Sequence, residues 1–232
     1  MSERDIVLDN VTVEYPGGRT AVRELSMRRG ERRIAVIGSN GSGKSTFART
    51  LNGLITPTTG AVRVHGLDPV RQAKELRRRV GFVFSNPDTQ IIMPTVAEDA
   101  AFSLRRRGLS RAEIADRVAA ALDRVGLTGY ADSPAHSLSG GEKQLLALCA
   151  VLIGEPSLVV ADEPTAYLDG VNSRRIAGFL LDQMPQQLVL VTHDLRLAAR
   201  CDVAVRFDGG RLVDQGEPGP VIARYERDQD LA

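Results

Sequence analysis

Residues 38–46 read Gly-Ser-Asn-Gly-Ser-Gly-Lys-Ser-Thr and follow the apolar stretch Arg-Ile-Ala-Val-Ile. They fit the spacing G-x-x-x-x-G-K-[ST] at Gly38, Gly43, Lys44 and Ser45. Gly38, Gly41 and Gly43 let backbone amides turn inward around phosphate oxygens without Cβ clashes, with Ser39, Asn40 and Ser42 between them. Lys44 can reach the β and γ phosphates, and the Ser45 hydroxyl can meet Mg²⁺. From Thr46 the chain runs on as a helix, whose N-terminal dipole favours an anion. The plain alternative is a glycine-rich strand-to-helix turn with a chance lysine. The strand before and the helix after weigh against it, so the run specifies a nucleoside triphosphate site.

Three further sets of residues bear on what happens to the phosphate. Asp162 and Glu163 end the apolar run "LVVADE". A carboxylate at the end of a buried strand beside the phosphate loop is placed to hold Mg²⁺, and its neighbour can polarise an attacking water. Asp162 is thus a candidate metal residue and Glu163 the candidate base. His193 ends "LVLVTH" in the same manner, so it should face the same crevice as a sensor of the γ-phosphate. In "LSGGEKQ", residues 138–144, Ser139 and Glu142 form a capping box. Capping alone leaves unexplained why Gly140 and Gly141 occupy the first helical positions, where they weaken the helix. Bare amides at a helix start favour close approach of an anion, so cap and phosphate site can be one object.

These residues need a frame. The chain has 232 residues, enough for one sizeable core or a core with a small inserted subdomain. At 43% hydrophobic and 25% charged it has the composition of a soluble globular protein, and a net charge of +1 argues against nucleic acid as a partner. The longest apolar run, "LLALCAVLI", is far short of the ~20 residues a membrane helix needs. Cys149 and Cys201 have no zinc or redox spacing and read as packed thiols of a cytosolic protein. "RRIAVIG", "LVVADE" and "LVLVTH" are β-branched apolar runs, hence buried parallel strands, while "VTVEY" alternates as a half-buried strand does. "VAVRFDGGRLVDQG" reads as a hairpin turning at Asp208, Gly209 and Gly210. Strand signals then fade over about 95–138, where "SRAEIADRVAAALDRVG" opens with a capping box from Ser110 to Glu113 and stops at Gly126. The fold expected is α/β: a P-loop NTPase core over about 1–90 and 156–222, with an antiparallel edge. A helical subdomain over about 91–155 is inserted in it, and a short polar tail covers 223–232.

Taken in order, these motifs resemble the nucleotide-binding domain of ATP-binding cassette (ABC) transporters along nearly the whole chain. The resemblance implies that Tyr15 stacks on adenine, that residues 38–46 are the Walker A loop, and that Gln90 is the Q-loop glutamine, near Mg²⁺ and the γ-phosphate. It makes "LSGGEKQ" the signature, Asp162 and Glu163 the Walker B pair, residues 166–169 the D-loop and His193 the switch histidine. Ser139, Gly140, Gly141 and Glu142 would then close on ATP held by a second ATPase protomer, in a homodimer or with a different ATPase. Dimer closure, hydrolysis and reopening would follow. "NPDTQ", ending at Gln90, is similar to the form found in energy-coupling-factor (ECF) transporters, which import vitamins and transition-metal ions. That implies two further partners, a scaffold transmembrane protein and a substrate-binding membrane protein, which hold this subunit on the cytoplasmic side of the membrane. Asp88 is then a candidate mate for an arginine on a partner helix. The lack of an extended C-terminal stretch resembles the ATPases of biotin importers more than those for cobalt or nickel. The alternatives are a soluble ABC ATPase of repair, translation or cluster assembly, and a P-loop kinase for a small molecule. The first would need coiled-coil insertions or tandem cassettes, and the signature argues against the second.

Overall fold

The computed structural model describes residues 4–105 and 107–231. Strands β1 (Ile6–Tyr15) and β2 (Arg19–Arg29) form a hairpin whose inward side chains alternate with exposed ones. Strand β3 (Arg33–Gly38) is buried at every position and delivers the chain through residues 39–43 to helix α1 (Lys44–Leu51). Then follow β4 (Thr59–Val64), α2 (Ala73–Arg79) and β5 (Val80–Val83). The next three long elements are all helices: α3 (Val96–Phe102), α4 (Arg111–Arg124) and α5 (Gly140–Leu152). Each of the three opens with a complete capping box, at Thr95, Ser110 and Ser139. Strands return with β6 (Leu158–Asp162) and β7 (Gln187–Val191), separated by α6 (Gly170–Gly178). Helix α7 (Leu195–Ala198) leads into the hairpin β8 (Val203–Asp208) and β9 (Arg211–Gly216), and α8 (Pro218–Asp230) completes the described chain.

Two sheets result. One is antiparallel, in the order β2-β1-β4; the other has six strands in the order β5-β6-β7-β3-β8-β9. In the second every pairing is parallel except β8 with β9, as the apolar runs and the Asp208-Gly209-Gly210 turn predict. Its central strands alternate between two cores. Ala35 and Ile37 pack with the helices from α3 onward, while Ile34 and Val36 pack with α1 and the antiparallel sheet. Burial on both faces is why these strands read as unbroken apolar runs. Each large side chain so buried contributes roughly 1.5–3 kcal/mol.

β6, β7 and β3 are neighbours, and their register sets Asp162 beside Val191 and Val191 beside Val36. Their carboxyl ends therefore open at one level, where crevices form in such sheets.

Two joints were not apparent in the sequence. His65, at φ +51 in the turn after β4, bonds Ser157 Oγ through Nδ1 at 2.9 Å and Gln187 Oε1 through Nε2 at 2.6 Å. It thereby ties the antiparallel layer to the residue before β6 and to the first residue of β7. Residues 223–230, expected as a polar tail, are the second half of α8. Val221 and Ile222 are buried on the sheet, and Arg206 of β8 pairs with Asp228 and lies over Tyr225. The helix is hard to see in the sequence because only its first turns carry apolar residues.

Candidate active site

Gly43 stands before α1 at φ +102, and a Cβ there would lie 2.3 Å from the Ala21 carbonyl oxygen, so only glycine fits. Lys44 is buried, and its ammonium turns back to donate to the carbonyls of Gly38 and Ser39 at 2.7 and 2.8 Å. Burial pulls its pKa down, against the raising pull of Glu163 and Asp162. Beside it the buried Ser42 hydroxyl has no hydrogen-bond partner. A cradle closed around a lysine and an unsatisfied hydroxyl suits a polyanion.

Asp162 is the last residue of β6 and is buried. Its Oδ1 accepts from the Ser45 hydroxyl at 2.9 Å. Burial raises the Asp162 pKa, partly offset by the Ser45 bond and by the charges of Arg49 and Lys44. A half-satisfied buried carboxylate beside a hydroxyl is an oxygen donor set suited to Mg²⁺. No cluster of three or more His, Cys, Asp or Glu forms among the described residues, so the fit rests on this pair.

Glu163 follows in the left-handed region, at φ +52. A glutamate held there costs of order 1–3 kcal/mol and needs support from its surroundings. That support is visible. Its amide donates to the Val191 carbonyl at 2.9 Å, and its Oε2 lies 2.8 Å from His193 Nδ1. The His193 amide adds a weaker bond at 3.3 Å. His193 thus holds the Glu163 carboxylate, although His193 itself does not line the adjoining cavity.

A cavity of about 500 Å³ joins most of these groups. Tyr15, residues 40–46 and Glu163 line it, and the Tyr15 hydroxyl lies 3.1 Å from Thr46 Oγ1. Pro16, Arg19 and Ala21 line it too, and sequence reasoning passed over them. The signal available was the Pro-Gly-Gly-Arg turn directly after Tyr15.

Other expected residues lie elsewhere. Gln90 makes no hydrogen bond to the phosphate loop or Asp162: its Oε1 accepts from the Phe84 amide and its Nε2 donates to the Phe82 carbonyl. The glutamine expected at the metal is spent on the end of β5. Ser139, Gly140, Gly141 and Glu142 do not line the cavity. The Glu142 amide donates to Ser139 Oγ and the Ser139 amide to Glu142 Oε2 at 2.8 Å, forming the capping box, and Ser139 Oγ also donates to Glu142 Oε2 at 2.7 Å. Asp88, a candidate mate for a partner's arginine, is instead bonded by Lys143 at 2.7 Å. Cys149 and Cys201 are free and buried, and burial lifts both thiols to about 12.

A phosphate cradle, an acidic strand end and a capped glycine helix start also define a known family. The model for "ABC transporter" matches residues 23–166, well over half of the chain. The chain belongs to the ABC transporter family. It is 46% identical to the biotin transport ATP-binding protein BioM of Rhizobium etli, across 90% of this chain and 92% of that one. It is 38% identical to the energy-coupling factor transporter ATP-binding protein EcfA1 of Latilactobacillus sakei, across 100% of this chain and 85% of that protein. Among solved structures it is similar to CbiO1 of Clostridium perfringens, part of the ABC transporter complex CbiONQ. The TM-score there is 0.84 at 31% identity, covering 97% of this chain and 93% of that one. The chain is therefore an ABC-type ATPase with the P-loop NTPase fold, and ATP is its substrate.

Proposed function

We propose that this ATPase powers an ECF-type importer, taking up a vitamin, with biotin favoured, or a transition-metal ion. The observation that carries the reading is the Asn-Pro-Asp-Thr-Gln bend held by Lys143 against the helix that opens at Ser139. The similarity to BioM, EcfA1 and CbiO1 supports it.

In this reading Tyr15 stacks on the adenine, the amides of residues 38–46 enclose the phosphates and Lys44 leaves its two carbonyls for the β and γ oxygens. Ser45 and Asp162 would hold Mg²⁺, with Gln90 joining them once its bonds to β5 are released; the ion supplies charge neutralisation at the phosphates. Glu163 takes the proton of the attacking water, and His193 holds that carboxylate and meets the γ-phosphate with its other ring nitrogen. Two protomers complete each other's sites, because Ser139, Gly140, Gly141 and Glu142 stand outside the cavity of their own chain. Closure turns the helical subdomain, about 91–155, against the α/β core. A scaffold and a substrate-binding membrane protein hold the dimer on the cytoplasmic side of the membrane; no helix of the described residues is long and apolar enough to cross it.

Glu163→Gln is expected to bind ATP normally and to lose at least ~10²-fold in hydrolysis, the usual scale for a general base. Near-normal turnover in that variant removes the assignment. Affinity purification of the tagged chain from membranes, followed by mass spectrometry, tests the importer reading. Two polytopic proteins are expected, and recovery from the soluble fraction alone would contradict it.

A further inference from the structure

Three side-chain contacts fasten α5 to the bend after β5. Asp88, in the short turn Pro87–Thr89, accepts from the Lys143 ammonium at 2.7 Å. Gln144, fully buried, donates through Nε2 to the Phe84 carbonyl at 3.1 Å. One turn on, the Ala147 carbonyl takes a long contact of 3.5 Å from Gln90 Nε2.

The ion pair is the contact best placed to position rather than merely to pack. The Lys143 side chain is 17% exposed and that of Asp88 65%, so the lysine stem is packed while the carboxylate it meets stands open to water. Asp88 is itself held in place, because its amide donates to the Asn86 side chain at 3.0 Å. Lys143 stands one helical turn beyond Ser139, about 6 Å along the axis. A rigid helix pinned at Lys143 has little freedom to tilt at Ser139 and Gly140.

We propose that Lys143 is a positioning residue for ATP hydrolysis. By tying α5 to Asp88 it sets the direction in which the Ser139 hydroxyl and the amides at the start of α5 meet ATP held by the partner protomer. The inference rests on the composite-site reading above.

Sedimentation of the full-length Glu163→Gln chain with ATP tests it. Adding Lys143→Ala or Asp88→Ala should weaken the ATP-driven dimer about two- to fivefold, the scale of an ion pair open to solvent on one side. The double alanine variant should be no weaker than either single one, since both remove the same bond. The exchange of Asp88→Lys with Lys143→Asp, and separately Lys143→Arg, should recover dimerisation to within about twofold. ATP affinity of the dilute monomer and the melting temperature should stay at parental values, which a general loss of folding would not leave untouched. Parental dimer affinity in Lys143→Ala, or an exchanged pair as weak as both singles, overturns the proposal alone. A Glu163→Gln parent that never dimerises with ATP overturns the composite site and this inference together.

Discussion

Gly140 and Gly141 stand side by side at the start of α5, yet different demands act on them. A Cβ at Gly141 would lie 2.3 Å from the side-chain amide carbon of Asn172, which α6 presents at that point. At Gly140 the nearest atom to such a Cβ is Leu168 Cδ2, at 4.0 Å. A methyl at Gly141 would thus have to displace the Asn172 amide from its 2.8 Å bond to Asp169, whereas at Gly140 it would meet only an ordinary contact. Gly141→Ala is expected to lower stability by about 1–3 kcal/mol, the usual range for overpacking. Gly140→Ala should fold at least as well, because alanine exceeds glycine in helix propensity by up to ~1 kcal/mol. Its ATPase should still fall, since the methyl stands where a partner's phosphate would approach. Chemical denaturation beside steady-state ATPase separates the two cases; full activity in Gly140→Ala would contradict the role given to that amide. The cysteines give a second residue-scale expectation. With both thiols at about 12, roughly one in ten thousand is ionised at pH 8. Ellman's reagent should therefore leave the native protein unlabelled and modify both Cys149 and Cys201 after unfolding in guanidinium.

At the scale of elements, the antiparallel sheet and the parallel sheet meet at His65. Burial lowers its pKa, only partly countered by the bond to Gln187, with Arg4 and Arg79 lowering it further and Asp5 raising it. The folded state therefore favours the neutral ring and binds fewer protons than the unfolded chain around pH 6.5. Stability from this joint is complete above about 6.5 and is lost as pH falls from there through the folded value. Urea denaturation between pH 7.5 and 5.5 should show that decline, and His65→Gln should flatten it while lowering stability at pH 7.5. An unchanged pH slope in the variant would place the titration elsewhere. This joint also marks where the sequence is hard to read. Strands β3, β6 and β7 show themselves because burial on both faces makes them apolar throughout. A bond from His65 to Gln187, more than a hundred residues away, leaves no local pattern. Helix α8 is obscured for a related reason: beyond Val221 and Ile222 its hold on the sheet is polar, through Asp228 to Arg206 and Arg224 to Asp214.

At the scale of the molecule, the legible parts of the site are those set by backbone geometry. Walker A needs glycines at fixed spacing, and the acidic pair and His193 need only the ends of neighbouring strands, so residue type and order reveal them. Gln90 and Asp88 are different, because what they touch depends on how the helices sit against the sheet; here they bond β5 and α5. The signature is legible as a helix start, and in the proposed reading its work lies outside its own chain. That separation yields an expectation for the assembled dimer. Lys44→Ala disables the cradle of a chain, and Ser139→Ala disables what that chain offers its partner. Each variant alone should be nearly inactive, since both of its composite sites are damaged. In a mixed dimer both lesions fall in one site and the other is intact, by the isologous symmetry of such a pair. Equal mixing should then restore about a quarter of wild-type ATPase if chains pair at random and sites act independently. Mixed samples that stay as inactive as their parents, although exchange of labelled chains shows that mixed dimers form, would mean that each chain completes its own site.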